Sequence, residues 1–170
     1  ALQASGVFID LNCSESSVTA GVPTKVTFTA INRSNQKITI SKLMLPGVLK
    51  NKSEAFIDTL INAELKPNQI LSFNTYINPG FTNQSIQFSQ PFWLKTMPDG
   101  LFHFGSPTQI LYPEKAFYTN ATVIGYFPAN ASFTKTVKIQ YRWVDPEKGE
   151  LYRPVVITPP VLLKMDQEVF

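Results

Sequence analysis

The sequence predicts an all-β protein, an immunoglobulin-like β-sandwich of about ten strands with one long irregular insertion. The first observation is the stretch 135–157, in which Val137, Ile139, Tyr141 and Trp143 alternate with polar residues before an Asp-Pro-Glu-Lys-Gly turn. Alternation with a period of two on both sides of such a turn is typical of a β-hairpin. The second observation is a composition rich in turn residues, including 13 Pro, without a long helical periodicity.

The first half of the chain contains further segments of alternating polarity separated by turn residues. Val26, Phe28 and Ala30 share one predicted face. The run Leu43-Met44-Leu45 breaks the alternation, which predicts either a bulge or a strand that is covered on both faces. We expect the strands at 25–31 and 37–45 to form a hairpin of one sheet. A polar loop with a short edge strand near 56–57 is expected next. The predicted strands of this half are 6–12, 25–31, 37–45 and 70–77.

The second half is irregular before it returns to a strand pattern. Aromatic residues accumulate between 81 and 118, and Pro91 would confine a strand at 86–95 to a sheet edge or a bulge. A strand is predicted at 120–127. We expect one elaborated sandwich module over 1–170, and the alternative is two small sandwiches, 1–85 and 86–170.

The composition excludes several classes of protein. Fifteen basic and 12 acidic residues leave a net charge of +3, with no cluster of four or more Lys or Arg. Nucleic-acid binding needs a concentrated basic patch, so it is not expected. No apolar run approaches the ~20 residues that span a bilayer, so no membrane span is expected. Both ends of the sequence look cut, which favours a segment of a longer chain.

Few residues could carry catalysis. Cys13 is the only cysteine, and His103 is the only histidine, which excludes sites that need two histidines. Asp145, Glu147 and Glu150 could bind calcium, but a turn that hydrogen-bonds its own backbone is much commoner. Gly-rich phosphate loops are absent from the sequence. The sequence therefore predicts no catalytic residue, no metal site and no cofactor.

The aromatic middle of the chain contains the best candidate for a binding site. Gln90, Phe92, Trp93, Phe102 and His103 combine aromatic faces, which stack on sugar rings, with polar groups that address hydroxyls. The alternative is that they plug the open end of the sandwich or pack against a neighbouring domain.

Five Asn-x-Ser/Thr sequons would matter only in a eukaryotic secretory protein. In an Asn- and Ser-rich chain we interpret them mostly as chance turn chemistry. They begin at Asn32, Asn51, Asn83, Asn120 and Asn130.

Two segments of the chain resemble one family. Ser89–Lys95 (SQPFWLK) and Tyr141–Pro154 (YRWVDPEKGELYRP) are similar to the β-sandwich region that follows the catalytic domain in large bacterial PIG-L/LmbE-type deacetylases, typical of Bacteroidetes. The strand end at 30–34 and the turn at 65–69 are similar to the same region. This sequence departs from the family's motifs by Phe92 in place of Tyr and Glu147 in place of Val.

The resemblance implies an accessory module and not an enzyme. The family's catalytic domain carries a His-Pro-Asp-Asp type motif and further zinc-binding histidines, and it removes acetyl groups from N-acetylglucosamine-like sugars. This chain has no such motif, so no catalytic residue carries over. The implied role is to support or position a deacetylase domain of an exported protein, periplasmic or at the cell surface. The implied partners are neighbouring domains of the same chain, and the alternative function is glycan binding around Trp93.

Overall fold

The fold of the described residues is all-β, as the sequence predicts. The computed structural model describes residues 6–46, 56–78, 81–82, 85–86, 100 and 120–161. Besides one 3-10 turn at Pro128–Asn130, the regular elements in these ranges are strands. They are β1 (Val7–Cys13), β2 (Ser17–Thr19), β3 (Thr24–Asn32), β4 (Ile38–Pro46), β5 (Phe56–Leu65), β6 (Ile70–Ile77), β7 (Phe81–Thr82), β8 (Ser85–Ile86), β9 (Asn120–Tyr126), β10 (Ser132–Asp145), β11 (Gly149–Pro154) and β12 (Val156–Thr158).

Eight of these strands form one sheet. Its order is β5-β4-β9-β10-β1-β3-β6, with β11 also paired to β10. Strand β10 has 14 residues and belongs to two parts of the sheet. Its residues 132–138 pair antiparallel with β9, whereas 139–141 pair parallel with β1 and 140–145 pair antiparallel with β11. We call β11-β10-β1-β3-β6 the first half-sheet and β5-β4-β9-β10 the second.

The two ends of the sheet lie close together, although their strands do not pair with each other. Its two end strands, β5 and β6, follow each other in sequence and are joined only by residues 66–69. So short a connection brings the two ends of the sheet together, because four residues span at most ~14 Å. Strands before residue 78 and after residue 120 thus share one sheet, since β4 pairs with β9 and β1 with β10.

One hydrophobic core fills the space that the sheet encloses. Side chains alternate in and out along each strand, and the buried ones from both half-sheets form a single cluster. Phe28 is fully buried and stacks on Phe73 with ring centroids 5.0 Å apart. Burial of each such side chain stabilises the fold by roughly 1.5–3 kcal/mol. The largest buried side chains are Phe28, Leu11, Ile38, Ile40, Leu43, Leu45, Leu65, Ile77, Val18, Val26, Val123 and Val155.

Gly125 makes room for an aromatic side chain in the second half-sheet. A Cβ at this position would lie 2.4 Å from the ring of Phe133 and 2.6 Å from the carbonyl oxygen of Thr39. Phe133 is the cross-strand partner of Gly125, and its ring packs 5.0 Å from that of Phe127. The glycine is therefore required by the close approach of strand β4 and this ring.

The sequence predicts most strands of the first half correctly. Strands β1, β3, β4 and β6 lie within a residue or two of their predicted bounds. Strand β4 does contain a register shift, but it lies between Ile40 and Lys42 and not at the predicted position 43–45, where the pairing with β5 is regular. The expected hairpin of 25–31 with 37–45 is wrong. Strand β3 pairs with β1 and β6, whereas β4 pairs with β5 and β9, so the turn between them crosses from one half-sheet to the other.

The sequence pattern does not predict the short strands β2 and β12 or the full length of β5. The predicted loop with an edge strand at 56–57 is in fact the start of a ten-residue strand that ends at Leu65. Strand β5 lies at the sheet end, as an edge strand, where side chains such as Leu60 are exposed and alternation is blurred. Strands β2 and β12 pair with each other over only three residues.

The predicted strand at 86–95 and most of the predicted insertion at 81–118 lie outside the described residues. In the ranges that the structure describes, no helix is long and apolar enough to cross a membrane.

Candidate functional site

The five residues that the sequence singles out for binding, Gln90, Phe92, Trp93, Phe102 and His103, lie outside the described residues. Their role stays a prediction. Two other regions concentrate polar interactions within the described ranges. We call them the Asn32 node, around the ends of β3 and β5, and the hairpin arm, residues 141–154.

The Asn32 node is a buried polar side chain whose hydrogen-bonding capacity is used. Asn32 has no exposed surface, and its Nδ2 donates to the carbonyl oxygens of Gln36 at 2.8 Å and Leu65 at 3.0 Å. Its Oδ1 accepts from the backbone N–H of Ser34 at 3.0 Å and from the Ser34 hydroxyl at 2.6 Å. A buried amide group without a hydrogen-bond partner would lower the free energy of unfolding by roughly 1–3 kcal/mol. The four hydrogen bonds of the Asn32 side chain are therefore what allows it to be buried.

The backbone of Asn32 extends the node to a second turn. Its N–H donates to the carbonyl of Gln69 at 3.0 Å, and its carbonyl accepts from the N–H of Asn68 at 2.7 Å. Asn68 has a φ of 60°, a conformation that Asn tolerates better than most residues. The node therefore ties the crossing between β3 and β4 to the crossing between β5 and β6.

The burial of Asn32 also bears on whether it can accept a glycan, since it begins an Asn-x-Ser sequon. Its Nδ2, the atom that a glycan would modify, is inside the protein and donates two hydrogen bonds. In the folded chain Asn32 is therefore a structural residue and cannot serve as a glycosylation site.

The hairpin arm has the turn that the sequence predicts. Asp145 pairs with Gly149, and the Oδ1 of Asp145 accepts from the backbone N–H groups of Glu147 and Lys148, both at 2.9 Å. Gly149 has a φ of 79°, which only glycine adopts without strain. The turn thus hydrogen-bonds its own backbone and fixes the register of both strands.

One face of the arm carries a stack of aromatic rings and a cation. The rings of Tyr141 and Trp143 lie 5.8 Å apart and nearly parallel, at 20°. The guanidinium carbon of Arg153 is 5.4 Å from the Tyr141 centroid and 5.7 Å from the Trp143 centroid. Because Val137 and Ile139 precede them on the same face and are buried, these half-buried rings extend the core into the arm.

The other face of the arm carries charged groups that pair with each other. Arg142 and Glu150 form an ion pair of 2.8 Å, with about half of each side chain exposed. Tyr152 donates a hydrogen bond to Glu150 and accepts one from Arg142. Partial burial and the hydrogen bond to the carboxylate raise the pKa of Tyr152 above its ordinary value. The Tyr152 hydroxyl thus joins the Arg142–Glu150 pair in one hydrogen-bonded group.

The acidic residues of the turn do not converge on a point where a cation could lie. Asp145 is occupied by two backbone donors and Glu150 by Arg142. Across the ranges that the structure describes, no group of three or more His, Cys, Asp or Glu side chains is placed to hold a metal ion.

Cys13 is buried at the end of β1, beside Tyr141 of β10. Burial raises the pKa of its thiol above the ordinary value of 9.0, so the unreactive protonated form is favoured. Because the folded-state pKa is raised, this thiol contributes stability that is present below pH 9 and is lost as the pH rises further.

No protein-family model matches this chain, and no curated protein matches it in sequence. Among solved structures it is similar to a target of the Northeast Structural Genomics Consortium, with a TM-score of 0.40 and 12% identity over 100% of both chains. It is also similar to a GH20 exo-β-N-acetylglucosaminidase from Vibrio harveyi, with a TM-score of 0.36 and 11% identity. The match covers 79% of this chain and 18% of that one.

A third similar structure is the alkylpurine DNA glycosylase AlkC from Pseudomonas fluorescens, with a TM-score of 0.32 and 11% identity. It matches over 81% of this chain and 32% of that one. This chain thus spans less than a third of either enzyme. Similarity at this distance carries no information about activity.

Proposed function

We propose that this chain is a non-catalytic accessory module of an exported, carbohydrate-active protein of the N-acetyl sugar deacetylase type. In this role it supports or positions a catalytic domain of the same parent chain. The proposal draws on the resemblance of residues 141–154 and 89–95 to the β-sandwich region of PIG-L/LmbE-type deacetylases.

The observation that carries the proposal is the structure of the hairpin arm. The segment that carries the most specific part of the resemblance is a rigid hairpin whose charged groups are used within the arm itself. Asp145 holds the turn, and Arg142 and Glu150 neutralise each other. Charged side chains that are already hydrogen-bonded or paired suit a structural role. Proton transfer and metal binding both need side chains that are free to act as bases or ligands.

The finer fold assignment belongs to the same proposal. The antiparallel strands β1-β3-β6 of the first half-sheet are joined to the antiparallel second half-sheet by the parallel pairing of β1 with β10, the strand that both half-sheets share. Together with the crossings at 33–37 and 66–69, this order supports an immunoglobulin-like sandwich, in which the chain passes repeatedly between two layers.

A direct test compares the parent protein with and without this module. We expect the purified 170-residue chain to release no acetate from N-acetylglucosamine oligosaccharides, with or without added zinc. We expect its deletion from the parent to lower the melting temperature or the activity of the catalytic domain. Metal-dependent turnover by the chain alone, or a parent enzyme indifferent to the deletion, would contradict the proposal.

Glycan binding around Trp93 is the alternative function that the sequence raises. Its test is a glycan array with the wild-type chain and Trp93→Ala, followed by tryptophan fluorescence titration. Binding that disappears in Trp93→Ala would favour this alternative over a purely supporting role.

A further inference from the structure

The outer face of the first half-sheet presents five strands side by side to solvent. Since the inward side chains of β1, β3 and β6 fill the core, the alternate residues point outward. The printed registers allow these outward residues to be read as rows that run across the strands.

One row begins and ends on an exposed tyrosine. Tyr152 pairs with Arg142, and Lys25 pairs with Tyr76. Ser14 lies between these pairs, because its N–H donates to the Lys25 carbonyl at 3.1 Å and its neighbour Cys13 pairs with Tyr141. Tyr76 is 59% exposed and Tyr152 is 45% exposed. Four strand spacings separate them, which amounts to ~19 Å.

The next two rows contain short amide and hydroxyl side chains. Thr27 Oγ1 donates to Asn74 Oδ1 at 3.0 Å, and the Thr29 and Ser72 hydroxyls lie 3.4 Å apart. Asn12 extends the first of these rows, since it pairs with Thr27. The Thr27–Asn74 and Thr29–Ser72 contacts hold these four side chains along the row direction and leave further donor and acceptor positions toward solvent, because each amide and hydroxyl can make more than one bond. Asn12 contributes less, because its Nδ2 donates to the Asp10 Oδ2 at 3.0 Å and its Oδ1 is buried.

The charge on this face favours a neutral ligand. Its basic side chains are Lys25, Lys138 and Arg142, and its acidic ones are Asp10 and Glu150. Three positive and two negative charges leave +1, and Arg142 is already paired with Glu150 at 2.8 Å. A face of this kind cannot neutralise several phosphates, as nucleic acids would require.

The size of the face argues against a second protein. The rows span about 20 Å along the strands from Ile70 to Tyr76 and ~19 Å across them, so the projected area of the face is only about 400 Å². A stable protein interface buries ~800 Å² of accessible surface per partner, which a face of this size alone would hardly supply. The apolar row of the face, Phe8 beside Ile31 beside Ile70, is confined to one end. An extended chain molecule that crosses the strands would need far less area.

We propose that this outer face binds a neutral polysaccharide chain that lies across the strands, with one sugar ring stacked on Tyr76 and another on Tyr152. Aromatic rings and the C–H faces of sugars match, while amide and hydroxyl rows meet sugar hydroxyls. An extended β-linked chain advances by about one ring per strand spacing. The sheet twists by about 20–25° per strand, so the two tyrosines suit a twisted soluble chain better than a flat crystalline surface.

The test is calorimetric titration of the 170-residue chain with oligosaccharides of β-1,4-linked glucose and of β-1,4-linked N-acetylglucosamine. We expect a hexasaccharide of at least one kind to bind at least tenfold more tightly than its disaccharide, since only the longer chain can reach both tyrosines. Tyr76→Ala and Tyr152→Ala should each weaken binding about tenfold, equivalent to the ~1.4 kcal/mol of one stacking contact. Tyr76→Phe should retain binding because it keeps the ring.

The matched control is Tyr126→Ala, which removes a tyrosine of 41% exposure from the second half-sheet and should leave binding unchanged. Circular dichroism of each variant separates loss of binding from loss of fold. The proposal is overturned if no hexasaccharide binds, if hexasaccharide and disaccharide bind equally, or if the double variant at Tyr76 and Tyr152 binds like wild type. It is also overturned if binding depends on Trp93 alone, or if Tyr76→Ala instead dissociates a dimer in sedimentation equilibrium. These outcomes leave the accessory role untouched, since that role is tested in the parent enzyme.

Discussion

The Asn32 node and the hairpin arm both depend on polar groups that hold two segments together, but they do so in different surroundings. The node lies inside the protein, where the Asn32 side chain meets the 33–36 turn and the end of β5. The arm lies at the sheet margin, where beyond Tyr141 the described partner of β10 is β11 alone. The Arg142–Glu150 pair in the arm is about half exposed, whereas Asn32 is fully buried.

This difference determines how much each region contributes to stability. A hydrogen bond lost inside the protein leaves unpaired groups that water cannot reach, whereas groups in the arm can turn to solvent when they lose a partner. We therefore expect the node to govern global unfolding and the arm to open locally. A ligand or a neighbouring domain that contacts the first half-sheet or its arm would therefore leave the buried core undisturbed.

The largest effect is expected from Asn32→Ala. The change leaves the Gln36 and Leu65 carbonyls and the Ser34 N–H without their buried partner, so the free energy of unfolding should fall by about 2–4 kcal/mol. Urea unfolding followed by circular dichroism measures it. Asn35→Ala, an exposed asparagine of the same turn, is the control and should change stability by less than ~0.5 kcal/mol. Equal effects of the two changes would remove the distinction between node and surface.

Asn32→Asp adds a pH signature to the same site. The carboxylate would face two carbonyl oxygens that now receive donated hydrogen bonds, so its pKa should be raised in the folded state. The penalty should be small below the unfolded pKa of about 4 and should grow as the pH rises above it. Unfolding curves at pH 4 and pH 7 test this, and a variant that is more stable at pH 7 than at pH 4 would contradict it.

Trp143→Ala should have a smaller and local effect. It removes the stack with Tyr141 and the contact with Arg153, so we expect a loss of about 1–2 kcal/mol that is concentrated in the arm. Labelling of the Cys13 thiol reports how far the opening spreads, since Cys13 pairs with Tyr141 at the base of the arm. Slow labelling in both wild type and variant is expected, and fast labelling in the variant would mean that arm and core open together.

The turn of the arm offers a matched pair of changes. Asp145→Ala removes the acceptor for the N–H groups of Glu147 and Lys148 and should cost about 1 kcal/mol. Asp145→Asn keeps an oxygen in the same place and should recover much of that loss. Thermal unfolding of both variants measures the difference, and equal losses would show that charge matters here and hydrogen bonding does not.

The smallest effect is expected from Arg142→Gln. Because the pair with Glu150 is half exposed, its loss should cost less than ~1 kcal/mol. Any effect should diminish between 50 mM and 500 mM salt, which screens charges at the surface. Unfolding curves at the two salt concentrations check this, and a large salt-independent loss would place this pair in the same class as the node.

The two regions also differ in how far the sequence predicts them. The arm is local: the alternation up to Trp143, the Pro/Gly turn and the freedom of Gly149 are all readable within twenty residues. The node is not local, because Asn32 meets Leu65 and Gln69 only after β4 and β5 have crossed to the other half-sheet. In sequence Asn32 looks like an ordinary turn residue at the start of a sequon.

The sequence also predicts only part of the row of outward residues that runs from Tyr152 to Tyr76. Outward positions such as Lys25, Thr27, Asn74 and Tyr76 follow from the alternation of each strand. That Tyr76 and Tyr152 end the same row depends on the neighbour order β11-β10-β1-β3-β6, which joins residues far apart in the chain. Strand order is decided by the competition between whole strands for partners, and a single sequence carries no direct signal for it.

Native-state hydrogen exchange tests the contrast between the two regions most directly. The informative amides are those of Asn32 and Ser34 in the node and of Glu147 and Lys148 in the arm. We predict that the node amides exchange only through global unfolding, with the same free energy as urea denaturation gives. The arm amides should exchange at least 100-fold faster, through local opening. Equal protection at the four positions would contradict the account.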